Sequence, residues 1–367
     1  MALDSGSASF RMLELPRKFP ADWPKRFAQH AAGSLDSVTD AESTGWVTGR
    51  HLLDSHITAG TAIQAGYVHL VMRIAQRKIP PTLLRAECKL EELAVMAADG
   101  KPFLRAQERA DIKKSVAERL LPKMPPQLKA IPFIHSLDET YLFAGATNEK
   151  QTDQLAGLLA ATLGMAPEPC DPVSLALAMR HVDANALPGA SFSPEMPDAD
   201  MEPVLGREFL TWLWFNADSH NGMVSLADGR DLGILLEGPL TFVNEGNGAF
   251  YTTLRKGEPE SSMEAKTSLL AGKKLASAKL TMALDEERVW AFNLDADLFA
   301  FRAMKLPRSE AGDPVTRFQD RMASLAEWRA LWLDLYGQFL DLRTTPAKWN
   351  KTVRKIREWV AGRPARR

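Results

Sequence analysis

Leu275–Met304, LASAKLTMALDEERVWAFNLDADLFAFRAM, decides the fold class of this 367-residue chain. Apolar and polar side chains alternate over Leu275–Leu284, Arg288–Leu294 and Leu298–Met304, which is the pattern of half-buried strands. Two acidic tripeptides separate these strands, and connections this short join antiparallel neighbours. Because long helical segments lie elsewhere in the chain, the sequence predicts an α+β fold of antiparallel sheets with flanking helices.

Apolar periodicity extends this prediction to the rest of the chain. Period-two patterns predict further strands at Ser9–Leu15, Tyr67–Ile79, Lys129–Ser136, Thr140–Ala144, Leu232–Val243 (broken at Gly238-Pro239) and Ala249–Leu254. Helical spacing and capping signals predict helices at Ala21–Ala32, Pro81–Ala97, Asn148–Leu163, Glu208–Phe215, Ser261–Leu270 and Val315–Leu342.

Composition and charge divide the chain into four segments. An N-terminal α+β half covers 1–164, and an acidic connection rich in Pro, Ala and Ser covers 165–204. A C-terminal α+β half covers 205–342, and we expect the two halves to be related. The last segment, 343–367, is a basic tail, for which a flexible second DNA contact and a solvated helix end are both open.

Positive charge is concentrated between Gly100 and Lys129, which holds eight cations and three anions in a chain of net charge −1. Arg105, Arg109 and Lys113 are spaced four apart and predict one row along a helix, beside an apolar row of Ile112, Val116 and Leu120. A basic row of this kind follows a phosphate backbone without selecting a sequence. A solvated helix face is the alternative interpretation.

Several classes of protein fit the sequence poorly. Cys88 and Cys170 form no CxxC motif, which argues against a disulfide framework and a zinc ribbon. The N-terminus lacks the profile of a signal peptide, and no apolar run approaches the length of a membrane span. We therefore expect a cytoplasmic protein without a membrane partner.

Enzymatic motifs are weak. Asp218-Ser219-His220 contains the residue types of a catalytic triad, but neighbours in sequence rarely assemble one. Glu264-Ala265-Lys266 is an E-x-K element of metal-dependent nucleases, for which Asp231 is a further ligand by position only. The histidines lack ligand spacing, and no glycine-rich phosphate loop follows a strand. We expect no catalytic residues, metal or cofactor, and a metal-dependent nuclease is a further alternative.

An ordered set of short motifs resembles the recombination-associated RdgC family of bacterial nucleoid proteins. The motifs occur in the family's order between Ser9 and Leu342: Gly45-Trp46-Val47, Ile79-Pro80-Pro81, Gly100-Lys101, Leu120-Leu121-Pro122-Lys123 and Ala271-Gly272-Lys273. The chain departs from the family at Pro125, where members carry an aromatic residue, and in extra sequence at 206–238 and after Arg343.

The resemblance implies a homodimer that closes as a ring around double-stranded DNA, binds without sequence preference, associates with the nucleoid and limits RecA activity. It implies DNA contacts at Lys101, Lys123, Arg255 and Lys256. Charge and position add Arg105, Lys113, Lys114 and Lys273. The alternative is a recombination or phage accessory protein that acts through a protein partner, with Trp212 and Trp214 as a candidate contact, although core packing is the commoner role of such a pair.

Overall fold

A computed structural model describes residues 3–196, 201–244, 251–255 and 263–362. The chain divides into two compact units. The large unit comprises Met1–Phe19, Gln64–Val68 and Phe133–Arg367, and the small unit comprises Pro20–Ile63 and His69–Pro132. The predicted segment boundaries after residues 164 and 204 both fall within the large unit.

The secondary structure is mixed, as predicted. The strands are β1 (Ala8–Glu14), β2 (Ser43–Thr48), β3 (Ile63–Gln64), β4 (Tyr67–Arg77), β5 (Pro126–Ser136), β6 (Tyr141–Ala144), β7 (Glu168–Pro169), β8 (Met223–Ser225), β9 (Asp231–Val243), β10 (Tyr251–Leu254), β11 (Lys274–Ala283), β12 (Val289–Asp295) and β13 (Ala300–Lys305). The helices are α1 (Trp23–Gln29), α2 (Ala59–Ala62), α3 (Pro81–Asp99), α4 (Ala106–Leu120), α5 (Glu149–Leu163), α6 (Pro172–Arg180), α7 (Leu205–Ser219), α8 (Met263–Leu270), α9 (Pro314–Arg343) and α10 (Pro346–Ala361).

The large unit is built on an antiparallel sheet in the order β10-β9-β11-β12-β13-β1-β6, with β8 added to β9 and β7 to β1. Residues 275–304 form its centre, where Leu280 pairs with Phe292 on one side and Leu236 on the other. The prediction of an α+β fold with antiparallel strands and flanking helices is confirmed.

The predicted break at Gly238-Pro239 is wrong, because β9 runs through it without interruption. Ser277 pairs with Thr241 and Lys279 with Glu237, so β9 has two more residues than β11 between these pairs. The extra residues form a bulge, which accommodates a proline that has no amide hydrogen to donate to the ladder.

Helices cover one face of this sheet and enclose an aromatic core. The rings of Phe301 and Trp328 lie 4.5 Å apart, and Trp332 lies 5.1 Å from Phe301. Trp212 and Trp214 of α7 are each 4% exposed and belong to the same core. Their side chains therefore provide packing energy, and they present no surface to a protein partner.

The predicted basic tail contains an ordered helix, α10. Trp349, Val353, Ile356 and Val360 recur at helical spacing and are buried in the core of the large unit. Lysines and arginines occupy the other faces, so the helix is amphipathic and docked. Arg363, Arg366 and Arg367 lie outside the described residues.

In the small unit, β2 pairs antiparallel with β4, with Trp46 opposite Met72. The backbone of Gly45 passes so close to Ala32 that a Cβ atom at position 45 would lie 2.4 Å from the Ala32 Cα. Next along the chain, α3 and α4 form a helical hairpin, and Gly100 ends α3 at a φ of 63°. No helix among the described residues has the length and hydrophobicity needed to cross a membrane.

Candidate nucleic-acid interface

The basic segment of the small unit centres on α4. This helix begins at Ala106, so it leaves out Arg105, the first residue of the predicted row. Arg105 is the N-cap, with extended backbone angles of φ −71° and ψ 161°, and its amide donates to Glu108 Oε2 at 2.7 Å. Arg105 therefore precedes the helix, and the row within it consists of Arg109 and Lys113. The apolar row is confirmed, since Val116 and Leu120 are buried and Ile112 is half-buried.

Lys101 lies in the turn between α3 and α4, where two carboxylates hold it. Its Nζ lies 2.8 Å from Glu108 Oε1 and 3.0 Å from Asp99 Oδ2. The hydrogen bonds that Lys101 donates, first to Glu108 and then to Asp99, raise the pKa of Lys101. The hydrogen bond from Lys101 also lowers the pKa of Glu108. A phosphate at Lys101 must compete with both carboxylates.

Four other cations of this segment are exposed at the surface. Arg109, Lys113 and Lys114 are exposed on α4, and Lys123 is exposed in the short turn that follows it. No carboxylate among the described residues forms an ion pair with any of these four side chains. Arg119, by contrast, reaches Glu87 and Glu91 of α3 at 3.1 and 3.7 Å.

Lys114 points away from the Arg109–Lys113 row, as its position in sequence predicts. It lines an open groove of about 850 Å³ in the small unit, with Lys78 also on its wall. Apolar side chains, including Ile79, Leu84 and Leu121, line much of this groove. Asp40 and Glu118 also line the groove, so it is mixed in charge, and the exposed cations of α4 lie on two sides of the helix.

The large unit holds the remaining predicted contacts. Arg255 is exposed directly after β10, and Lys273 is half-buried before β11, where its Nζ donates to Thr252 Oγ1. Lys256 lies outside the described residues. Arg255 and Lys273 therefore lie near the β10 end of the sheet, and Lys273 is held there by a side-chain hydrogen bond.

Sequence reasoning missed the cations on the sheet face that points away from Leu280. Lys279 of β11 pairs with Glu237 at 2.9 Å, and Arg302 of β13 pairs with Asp295 at 3.0 Å. Lys305 of β13 is exposed. Alternation in β11 was the available signal for Lys279. Arg302 and Lys305 are three residues apart, and they share a face only because the β12–β13 pairing is irregular between them, which alternation does not reveal.

The residues of the weak enzymatic motifs have structural partners. Asp218 Oδ2 accepts a hydrogen bond from Trp359 Nε1 at 2.6 Å. Lys266 lies on α8, where its Nζ donates to the Trp359 carbonyl at 2.7 Å and lies 3.5 Å from the centre of the indole ring. Burial lowers the pKa of Lys266 to about 8. Within the described part of the chain, no three His, Cys, Asp or Glu side chains are grouped to hold a metal ion.

Comparison with known proteins adds no relative to this picture. No protein-family model matches the chain, and no curated protein matches it. The resemblance to the RdgC family therefore rests on the ordered motifs between Ser9 and Leu342. The chemistry of the candidate interface rests on the exposed cations of α4 and its exit.

Proposed function

We propose that this protein binds double-stranded DNA without sequence preference, as a homodimer of the RdgC kind that encircles the duplex and limits RecA activity in recombination. The observation that carries the proposal is the group of exposed cations on α4 and its exit: Arg109, Lys113, Lys114 and Lys123. A solvated helix face commonly neutralises its charges with pairs three or four residues apart. Arg109, Lys113 and Lys123 have no acidic residue at that spacing, and Lys114, which has Asp111 and Glu118, forms no ion pair with either of them.

Uncompensated cations at this density suit a phosphate backbone. Duplex DNA carries about one negative charge per 1.7 Å of helix axis, and each phosphate that a lysine or arginine neutralises releases condensed counterions. Such contacts provide affinity and set the orientation of the protein, but they select no base sequence. The proposed activity is therefore occupation of DNA, and it requires no chemical step.

Two surfaces of the small unit are candidates for this contact. Arg109 and Lys113 are neighbours along one side of α4, and Lys114 lies on the side that faces the groove. A DNA duplex need not touch both sides of one helix at once. The single variants Lys113→Glu and Lys114→Glu distinguish the two surfaces, because reversal of the lysine that faces DNA should cause most of the loss of DNA affinity.

The test is binding of the full-length protein to a random-sequence duplex, measured by fluorescence anisotropy across a salt series. We expect affinity to fall steeply with salt, and Lys113→Glu/Lys114→Glu to remove most binding. If Lys113 and Lys114 of both protomers contact phosphates, the slope of log affinity against log salt should be less steep by about 3.6 in the double variant than in wild type. Competition by an unrelated duplex of equal length checks that binding is independent of sequence.

Arg17→Glu/Lys18→Glu is the matched control. It reverses two adjacent, exposed cations in the large unit and therefore changes the net charge equally. Equal losses in the two variants would mean that affinity follows net charge, and no loss in either would leave α4 as an ordinary solvated helix. Both results contradict the proposed interface.

Ring closure and RecA antagonism need separate measurements. A closed ring loaded on covalently closed circular duplex should survive a salt challenge that strips it from a linear duplex of the same sequence. RecA-dependent strand exchange should slow in proportion to duplex occupancy, and the Lys113→Glu/Lys114→Glu variant should not slow it.

A further inference from the structure

Helix α10 carries exposed cations on the side that points away from the core of the large unit. They are Lys348, Lys351, Arg354 and Lys355, which we call the α10 cations. The buried row of the same helix runs from Trp349 to Val360, and none of its four residues is more than 7% exposed. At about 100° per residue, every α10 cation lies more than about 100° from the centre of that row, so all four face solvent.

The α10 cations are not neutralised within the described part of the chain, where no carboxylate forms an ion pair with any of them. Glu358, the only acid in the sequence of α10, forms no ion pair within the helix. Asp341 of α9 is already held by Arg180, which donates to its two carboxylate oxygens at 2.6 and 2.9 Å. This hydrogen bonding is the main cause that lowers the pKa of Asp341, and the charge of Lys348 contributes less.

The order of charges along α10 opposes helix formation. Lys348 and Lys351 lie in the first two turns, where the helix dipole disfavours cations. The first turn has no acid, the last turn has no base, and the one acid, Glu358, lies in the last turn. Lys351 and Lys355 are four residues apart and repel each other. Because none of these charges stabilises the helix, the α10 cations are compensated only by an anion from outside it.

The apolar side of α10 narrows the choice of anion. A helix that binds a membrane surface inserts its apolar side among the lipids, and here that side is buried in the core of the large unit. Protein interfaces are anchored by large apolar or aromatic side chains, and none of those that are exposed in the described part of the chain lies on α10. A polyanion that binds through charge alone therefore fits this surface better than a lipid bilayer or a protein does.

Among nucleic acids, the α10 cations fit a duplex. Single strands are held by bases that stack on aromatic side chains. The aromatic residues of α10 are not available for stacking, because Trp349 is buried and Trp359 packs against Trp214 and Lys266. A duplex needs only cations that reach its phosphates. The α10 cations extend over about 10.5 Å of helix, at about 1.5 Å per residue, which matches about three phosphates of one DNA strand.

We infer that the α10 cations form a second contact for the phosphate backbone of duplex DNA. This contact is built on the extra sequence after Arg343 that sets the chain apart from the RdgC family. The inference rests on the DNA binding of the proposed function, to which it adds a surface in the large unit. It does not depend on α4, so variants of the two helices test the two surfaces separately.

The first measurement is the affinity of the full-length protein for a random-sequence duplex, by fluorescence anisotropy across a salt series. Lys351→Gln/Lys355→Gln removes two α10 cations, and we expect it to weaken binding at 0.1 M salt at least about tenfold. The slope of log affinity against log salt should become less steep by about 1.8 for each protomer that contacts DNA. Lys351→Arg/Lys355→Arg keeps both charges and should bind like wild type.

Arg17→Gln/Lys18→Gln is the matched control, because it removes two adjacent, exposed cations elsewhere in the large unit. A glutamine variant of α10 that binds as tightly as this control overturns the inference and leaves the proposed function standing. A wild type that binds no duplex overturns both. Weaker binding of the α10 variant, while Lys113→Glu/Lys114→Glu binds like wild type, supports the inference and contradicts the interface on α4.

Lysine acetylation read by mass spectrometry locates the contact in the wild-type chain, so it does not depend on how a variant folds. Bound duplex should slow the acetylation of Lys348, Lys351 and Lys355 severalfold and leave that of Lys18 unchanged. Equal rates with and without duplex at the three α10 lysines overturn the inference.

Two competitors test the choice of a duplex. We expect a single strand of equal length to compete more weakly than the duplex, and a single strand that competes better overturns the choice. Vesicles of phosphatidylserine and phosphatidylcholine test the membrane alternative. If the glutamine variant of α10 loses vesicle binding and keeps duplex binding, the surface belongs to a membrane and the inference is overturned.

Discussion

Glu208 is the residue whose substitution we expect to destabilise the large unit most. Its side chain is fully buried on α7, where Oε2 accepts from Arg343 Nε at 2.6 Å and Oε1 lies 3.3 Å from Lys274 Nζ. Lys274 and Arg343 are each 1% exposed at their side chains. One carboxylate thus links α7, β11 and the end of α9, and it faces two cations within the core.

Glu208→Gln keeps the shape of this side chain but removes its charge. Arg343 then remains in the core without the carboxylate that accepts from its Nε, and removal of one partner from a buried ion pair costs about 3–5 kcal/mol. Arg343 keeps its hydrogen bond to the Pro188 carbonyl, which replaces a charged acceptor only in part. We therefore expect a loss within that range.

Urea unfolding followed by tryptophan fluorescence measures the effect. Seven of the nine tryptophans, all those from Trp212 onward, belong to the large unit, so the signal reports chiefly on its unfolding. The control is Glu237→Gln, which breaks the half-exposed pair with Lys279 and should cost no more than about 1 kcal/mol. Glu208→Gln and Glu237→Gln variants of equal stability would refute the reasoning, because burial would then have no effect.

Two further predictions concern stability. The pKa of Lys266 falls from 10.5 to about 8 in the folded chain, so between these values the unfolded chain holds a proton that the folded chain lacks. Stability should therefore rise between pH 8 and pH 10.5 by up to about 3 kcal/mol, and Lys266→Met should flatten that rise in urea titrations at each pH. Gly45→Ala sets a Cβ atom 2.4 Å from the Ala32 Cα and should destabilise the small unit by about 2 kcal/mol or more. Gly157→Ala in α5 meets no atom within 4 Å and should stabilise by about 0.5–1 kcal/mol, so calorimetry that ranks the two alike would contradict the packing at Gly45.

The sequence predicted those parts of the fold that depend on local periodicity. The strands β11, β12 and β13 follow from alternation within Leu275–Met304, and α5 ends at Gly164, where φ is 70°. The docked helix α10 was missed because its net charge hid an apolar row of four side chains, including Trp349 and Ile356. The bulge at Gly238-Pro239 was missed because it depends on the register with β11, which no single strand encodes.

For the candidate interface too, the sequence predicted what depends on local spacing and missed what depends on contacts between residues distant in sequence. Helical spacing placed Arg109, Lys113 and Lys114 correctly relative to the buried side of α4, since only local geometry is involved. It could not separate them from Arg119, because the partner of Arg119 is Glu87, 32 residues away on α3. A cation in a charge run is thus available to a ligand only if the fold brings no carboxylate to it. By that physical criterion, Lys113 and Lys114 are better candidates for a phosphate contact than Lys101, although the resemblance to a known family named Lys101 first.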